Sequence, residues 1–281
     1  MNGLKSRRVP RNIISYVILS IWSILILGII GWVLSSSFKT NVAIFQDPWA
    51  LPEGFYTANY VSAWTTMHMS TYFINSIVIV FSALLICLLV SAMMAYALSR
   101  FEYKLRKPLL ALMIFSIAVP TQMLLIPLFS QLRNLGLINT RPGLILVYAA
   151  LWIPFSLFVL TGFFRTIPTE IEESAILDGC GEARLFFQIF VPLVQPGLIC
   201  VTVFNFVAMW NEYMLALVFA SRANLRTISL GMYALRDSMM YSANWGGLFA
   251  AIIIMLIPAA IIFVTLQRYL IQGLTAGALK G

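Results

Sequence analysis

Charge is scarce in this chain and acid is scarcer still: of 281 residues, 18 are Lys or Arg, 10 are Asp or Glu and one is His. With 10% charged residues against 61% hydrophobic, an ordinary soluble domain is excluded, because such domains run near a quarter charged. The net charge of +8 has no basic soluble domain in which to hold a nucleic-acid strand, so anionic lipid headgroups are the partner it fits. Cysteine is limited to Cys87, Cys180 and Cys200. No pair has metal-ligand spacing, and an odd, scattered set builds no disulfide framework. Cys87 and Cys200 lie in apolar runs and read as small buried hydrophobes. The lone histidine, His68, has no catalytic constellation around it, and no Gly-x-x-x-x-Gly-Lys-Ser/Thr phosphate loop occurs. Catalysis, a resident cofactor and a metal site are therefore not expected of this chain.

What is abundant is long apolar sequence. Residues 13–38, 71–99, 108–131, 143–164 and 248–267 are nearly charge-free, and each is long enough for the roughly 20 helical residues that cross a bilayer. A sixth run, 197–220, carries Glu212. An all-α integral membrane protein with six spans is the economical reading, with 1–281 as a single transmembrane domain. The first run has a basic flank (Lys5, Arg7, Arg8, Arg11) like a signal peptide, but it exceeds a signal h-region and Ser35-Ser36-Ser37-Phe38 is a poor cleavage site. It reads as a retained helix. With six spans and both termini cytoplasmic, twelve of the 18 basic residues fall inside, including Arg100, Lys104, Arg106, Lys107, Arg165, Arg184, Arg268 and Lys280, as the positive-inside bias requires.

The connections are short. Outer loop 39–70 carries Trp49, Tyr56, Tyr60 and Trp64, which suit a membrane interface. Arg141-Pro142 is a helix-start signal for the fourth span. Pro120, Pro127, Pro154 and Pro258 fall inside apolar runs, where each can bend a helix. Pro120-Thr121-Gln122 sets polar side chains, Gln122 among them, beside such a break, at either a pathway-facing or a helix-packing position.

One polar segment, 168–192, interrupts the apolar pattern. Thr169-Glu170-Ile171-Glu172 has the form of a capping box, and acids in a first helical turn complement the helix dipole. Asp178-Gly179 is a helix stop. A second short helix is expected from about Glu182 to Phe190, before Pro192 and Pro196. This makes a cytoplasmic helix–turn–helix, with Ile171, Ala175, Leu185, Phe186 and Ile189 available for an apolar face. Its five acids (Glu170, Glu172, Glu173, Asp178, Glu182) against the single base Arg184 argue against a helix merely resting on anionic lipid. Short side chains at Ser174 and Ala175, and none at Gly179, would let a partner surface approach closely, with Glu173 placed to meet a partner arginine.

Glu173-Ser174-Ala175, Gly179, Ile189 and Val191-Pro192 stand at the spacing of the Glu-Ala-Ala…Gly…Ile-x-Leu-Pro loop by which ABC importer permeases grip their ATPase. Serine for the middle alanine and valine for leucine are the departures. The chain resembles the smaller inner-membrane permease of maltose-type carbohydrate ABC importers over about residues 57–281. Further points of likeness are Asn75-Ser76, Pro154-Phe155, Trp210-Asn211-Glu212-Tyr213 and the terminal segment 273–281. The resemblance implies the type I ABC importer permease fold and a bacterial or archaeal cytoplasmic membrane. It implies ATPase docking through Glu173, Ser174, Ala175, Asp178, Gly179, Ile189 and Pro192. The implied partners are a second homologous permease, two ATPase subunits holding ATP and Mg, an extracytoplasmic binding protein and a sugar substrate.

Glu212 stands alone as an acid inside an apolar run, where an ionisable group is costly and functional by default. Asn205, Trp210, Asn211 and Tyr213 are neighbours that could hydrogen-bond it or a sugar hydroxyl. A polar latch between helices, direct substrate contact and proton coupling all remain open. An ion-coupled secondary transporter is the alternative for the whole chain, but it calls for repeated halves around midplane ion sites and leaves the acidic loop without a purpose. A membrane scaffold and an intramembrane enzyme fit less of the sequence.

Overall fold

The computed structural model describes residues 9–278, and the side chains of 13–237 and 243–268. Lys5, Arg7, Arg8, Lys280 and the end of segment 273–281 lie outside the described residues.

Every regular element among the described residues is helical. Helix α1 (Val9–Ser37) leads to two short helices, α2 (Asn41–Gln46) and α3 (Ala58–Trp64), and then to the long α4 (Met69–Arg100). Next come α5 (Arg106–Ile117), a 3₁₀ turn (Thr121–Leu124), α6 (Leu125–Asn134) and α7 (Arg141–Phe164). The polar segment holds α8 (Thr169–Leu177), α9 (Glu182–Arg184), a π-helical stretch (Leu185–Phe190) and α10 (Val191–Leu193). The chain continues through α11 (Gln195–Asn211), α12 (Met214–Phe219), α13 (Ile228–Ser242) and α14 (Trp245–Ala278).

Among the described residues, four helices are long and apolar enough to cross a membrane unaided: Ile13–Ser37, Met69–Arg100, Arg141–Phe164 and Trp245–Arg268. The other two expected spans are broken. Run 108–131 bends by 102° between Ile117 and Thr121, where Pro120 is extended (ψ 128°) and has no N–H to continue the helix. Pro127 causes no such break, because it sits in the first turn of α6, where amide donors are unpaired anyway. The helices also run on through Pro154 and Pro258. Run 197–220 is two helices, because α11 stops at Asn211 and Glu212 is extended (ψ 125°). A 74° bend also separates the 182–193 helical stretch from α11.

Two compact units divide the described chain, one of residues 9–68 with 235–254 and one of residues 69–234 with 255–278. In the first, residues 13–31 of α1 are exposed along their whole apolar length, the surface a lipid-facing helix presents. Its end is tied down: Asn59 Nδ2 donates to Ser37 O (2.9 Å) and Lys39 O (2.8 Å), and Trp32 Nε1 donates to Pro48 O (2.8 Å). Trp49, Tyr56 and Trp64 are exposed, and Tyr60 is half-buried with its hydroxyl 2.7 Å from Ser37 Oγ.

The second unit is built on a seam between α4, α7 and α11. Buried residues on α4 recur every three or four positions: Tyr72, Asn75, Ile79, Ala83, Cys87, Ser91, Ala95. Hydrocarbon offers no hydrophobic drive between helices, so small residues that permit close packing and hydrogen bonds across the seam supply the association. Asn205 Nδ2 donates to Ser156 Oγ (2.7 Å), and Cys87 Sγ lies 3.3 Å from the same hydroxyl. Gly197 admits the Phe163 ring, which would lie 2.6 Å from any Cβ placed there. The Arg141-Pro142 start is as expected, with Thr140 Oγ1 capping α7 by accepting from Gly143 N (3.1 Å).

Candidate functional site

The polar segment folds as a helix–turn–helix whose turn is stated in full by its backbone. Gly179 takes φ +79°, a conformation that glycine adopts without penalty. Gly179 N donates to Ile176 O (2.9 Å) and Cys180 N to Ala175 O (3.0 Å), the paired bonds of a Schellman ending. The start differs from expectation. Pro168 (ψ 145°) is the N-cap and no side chain caps the helix, so Thr169 lies inside α8 and the capping box does not form. Glu172, its would-be partner, is directed elsewhere: Oε2 lies 3.5 Å from Arg100 Nη1. The second helix also runs further than Phe190. It widens into a π turn just before Pro192, which cannot donate to the carbonyl four residues back.

Ala175, Leu185, Phe186 and Phe190 are buried, with Ile189 packed at their margin. They join Tyr96, Leu157, Leu160 and Phe164 of α4 and α7 in one core. Ile171, expected on this apolar face, is exposed instead. Ala175 therefore faces inward and serves the loop's own packing. The outward face carries Glu173, Ser174, Asp178, Gly179 and Pro192. It also carries two residues that sequence reasoning passed over, Ile176 and Leu177, the latter 87% exposed. The signal that could have found them is their position: both lie off the face set by Ala175.

At the other candidate site, Glu212 is not in mid-helix. It sits at the break between α11 and α12 and is consumed locally. Its Oε1 accepts from Leu215 N (2.8 Å) and its Oε2 from Ala216 N (3.2 Å), capping α12. Tyr148 on α7, fully buried, donates its hydroxyl to Oε2 at 2.8 Å. The four neighbours that could hydrogen-bond Glu212 or a sugar hydroxyl make other contacts. Trp210 is buried, its Nε1 donating to Met255 O (3.1 Å) and its ring stacked on Phe206 at 5.3 Å. Asn211 donates to Val207 O (2.8 Å) in its own helix. Asn205 belongs to the seam, bonded to Ser156. Tyr213 is exposed and stacks on Tyr233 with centroids 5.4 Å apart. Gln122 is exposed in the 3₁₀ turn after Pro120. Near it, Thr121, Trp152, Phe155 and Asn205 line a cleft of about 330 Å³.

Asn75-Ser76 acts as a clamp. Asn75 Nδ2 donates to Asn224 O (2.9 Å) and Arg226 O (3.1 Å), its Oδ1 accepts from Arg141, and Ser76 Oγ accepts from Ile228 N (2.7 Å).

Residues 87–276 match the family described as binding-protein-dependent transport system inner membrane component. The chain is 38% identical over 267 residues to the diacetylchitobiose uptake system permease protein NgcG of Streptomyces coelicolor, covering 95% of this chain and 88% of that protein. It is 33% identical to the melibiose/raffinose/stachyose import permease protein MelC of Bacillus subtilis, covering 88% and 89% respectively. In fold it is similar to a chain of a bacterial ABC transporter involved in import of the acidic polysaccharide alginate, with TM-score 0.79, 24% identity, and coverage of 96% and 99%. The chain belongs to the binding-protein-dependent transport inner-membrane components, as an integral membrane permease subunit of an ABC importer rather than an enzyme.

Proposed function

We propose that this permease spans the membrane six times, with both termini cytoplasmic, and forms half of the translocation pathway for a sugar or oligosaccharide. In this reading α5 with α6 counts as one span, and α11 with α12 as another. The other half is a second homologous permease, and two ATPase subunits on the cytoplasmic side hydrolyse ATP. An extracytoplasmic binding protein delivers the substrate. The oligosaccharides named for NgcG and MelC are what support a carbohydrate here.

Segment 168–192 is the ATPase-docking loop, within a single permease domain of residues 1–281. The observation that carries this reading is the two-sided build of α8. Its inner side is locked into the α4–α7 core through Ala175 and Glu172, while Glu173, Ile176 and Leu177 are turned outward. Glu173, Ser174, Asp178, Gly179 and Pro192 form the contact surface with Leu177, and Ala175 and Ile189 support it from within.

The pathway reading rests on the two breaks. Gln122 follows the Pro120 break. Glu212, with Asn211 and Tyr213, marks the α11–α12 break. Of the three roles open to Glu212, its bond to Tyr148 favours the polar latch. Trp210 and Asn205 act from behind by packing.

The test is purification of the tagged chain from its native membrane in mild detergent. Recovery with a second permease and an ATPase is the expected result. Recovery alone with ion-driven uptake intact would instead favour a secondary transporter.

A further inference from the structure

Arg100 ends α4 and looks, in sequence, like one of the basic residues that face anionic headgroups. The structure turns it inward. Its side chain is only 6% exposed. Nη2 donates to Phe164 O (2.9 Å) and Ile167 O (2.7 Å), at and just beyond the end of α7. Nη1 lies 3.5 Å from Glu172 Oε2 on α8. The guanidinium carbon is 4.7 Å from the centre of the Phe190 ring in the π stretch. One turn earlier on α4, Tyr96 donates its hydroxyl to Glu182 Oε2 (3.1 Å) at the start of α9.

One planar cation thus joins the end of α4 to the end of α7 and to both helices of the loop. The positive charge also lies where the α7 dipole is negative. Burying a cation this far is costly unless its partners are well placed. A lysine would keep the charge but not the planar fork that serves two carbonyls and a carboxylate together.

We infer that Arg100 is a positioning residue for transport: it fastens the docking loop to α4 and α7, so that displacement of the loop is delivered to those two helices. This rests on the docking reading above. Tyr96 and Glu182 form the second point of attachment, which keeps the loop from pivoting about the first.

The test uses the assembled importer with nitroxides at Glu170→Cys and Val90→Cys, the three native cysteines being replaced by alanine. Pulsed dipolar spectroscopy then reads the spread of loop-to-α4 distances, alongside uptake and ATPase recovery. The expected result for Arg100→Ala is a broadened distance distribution and uptake reduced about tenfold, with the ATPase still co-purifying. Arg100→Lys should restore neither the narrow distribution nor full uptake. An unchanged distribution in Arg100→Ala overturns the inference whatever uptake does. A broadened distribution with unchanged uptake overturns it as well, and places the fault in the docking reading, since the loop then moves freely without consequence.

Discussion

The chain uses acid in two opposite ways. At the α11–α12 break, Glu212 is satisfied from within by two backbone amides and the Tyr148 hydroxyl. On α8, Glu172 is satisfied from within by Arg100, whereas the adjacent Glu173 is exposed and no described residue bonds to it. An acid consumed by its own chain fixes a conformation, and an acid left on the surface beside exposed Ile176 and Leu177 is available to another chain. In the docking reading proposed above, Glu212 and Glu172 hold the permease together and Glu173 presents it to a partner.

Four sets of substitutions sharpen or break this contrast. The largest effect is expected at the outward face. Glu173→Lys, Leu177→Asp and Gly179→Asp should each lower substrate-stimulated ATPase by about 100-fold, as loss of an interface anchor does, while membrane insertion is normal on fractionation. Normal coupling in Glu173→Lys would remove the distinction between the two acids. Next, at about a tenfold loss of uptake, is Arg100→Ala, which leaves Glu172 unpaired with its side chain only 19% exposed. It should destabilise the loop by about 3 kcal/mol, read as faster hydrogen exchange confined to residues 169–193.

A smaller loss is expected at the break. Glu212→Gln and Tyr148→Phe should each cost about 1–2 kcal/mol in thermal unfolding in detergent, and the double variant should cost less than their sum. Additive losses would deny the latch, and a shift in the pH profile of uptake in Glu212→Gln would favour proton coupling instead. The smallest change belongs to Ser156→Ala in the seam, at about 0.6 kcal/mol in the same assay.

Much of the fold follows from local sequence. The apolar runs locate α1, α4, α7 and α14, Arg141-Pro142 starts α7, and Asp178-Gly179 ends α8, because each depends on neighbouring residues. Pro120 announced a bend, although its 102° size depends on what packs around it. Two features were not legible. The apolar pattern runs straight through 213–220, so nothing in hydropathy marks the stop at Asn211; the break is stabilised by Tyr148, 64 residues away. Arg100 counted only as one more cytoplasmic charge, since its partners Phe164, Ile167 and Glu172 are brought to it by the α4–α7 packing. The capping box failed because Pro168, not Thr169, is the N-cap, and its glutamate turns to Arg100 instead.

The most direct test of the central claim is photo-crosslinking from Leu177. A benzophenone-maleimide on Leu177→Cys, with native cysteines replaced by alanine, would be irradiated in intact membranes and the adducts identified by mass spectrometry. Adducts on the ATPase subunit that vanish when Gly179→Asp is added are the expected result. Labelling of lipid alone, unchanged by Gly179→Asp, would contradict it.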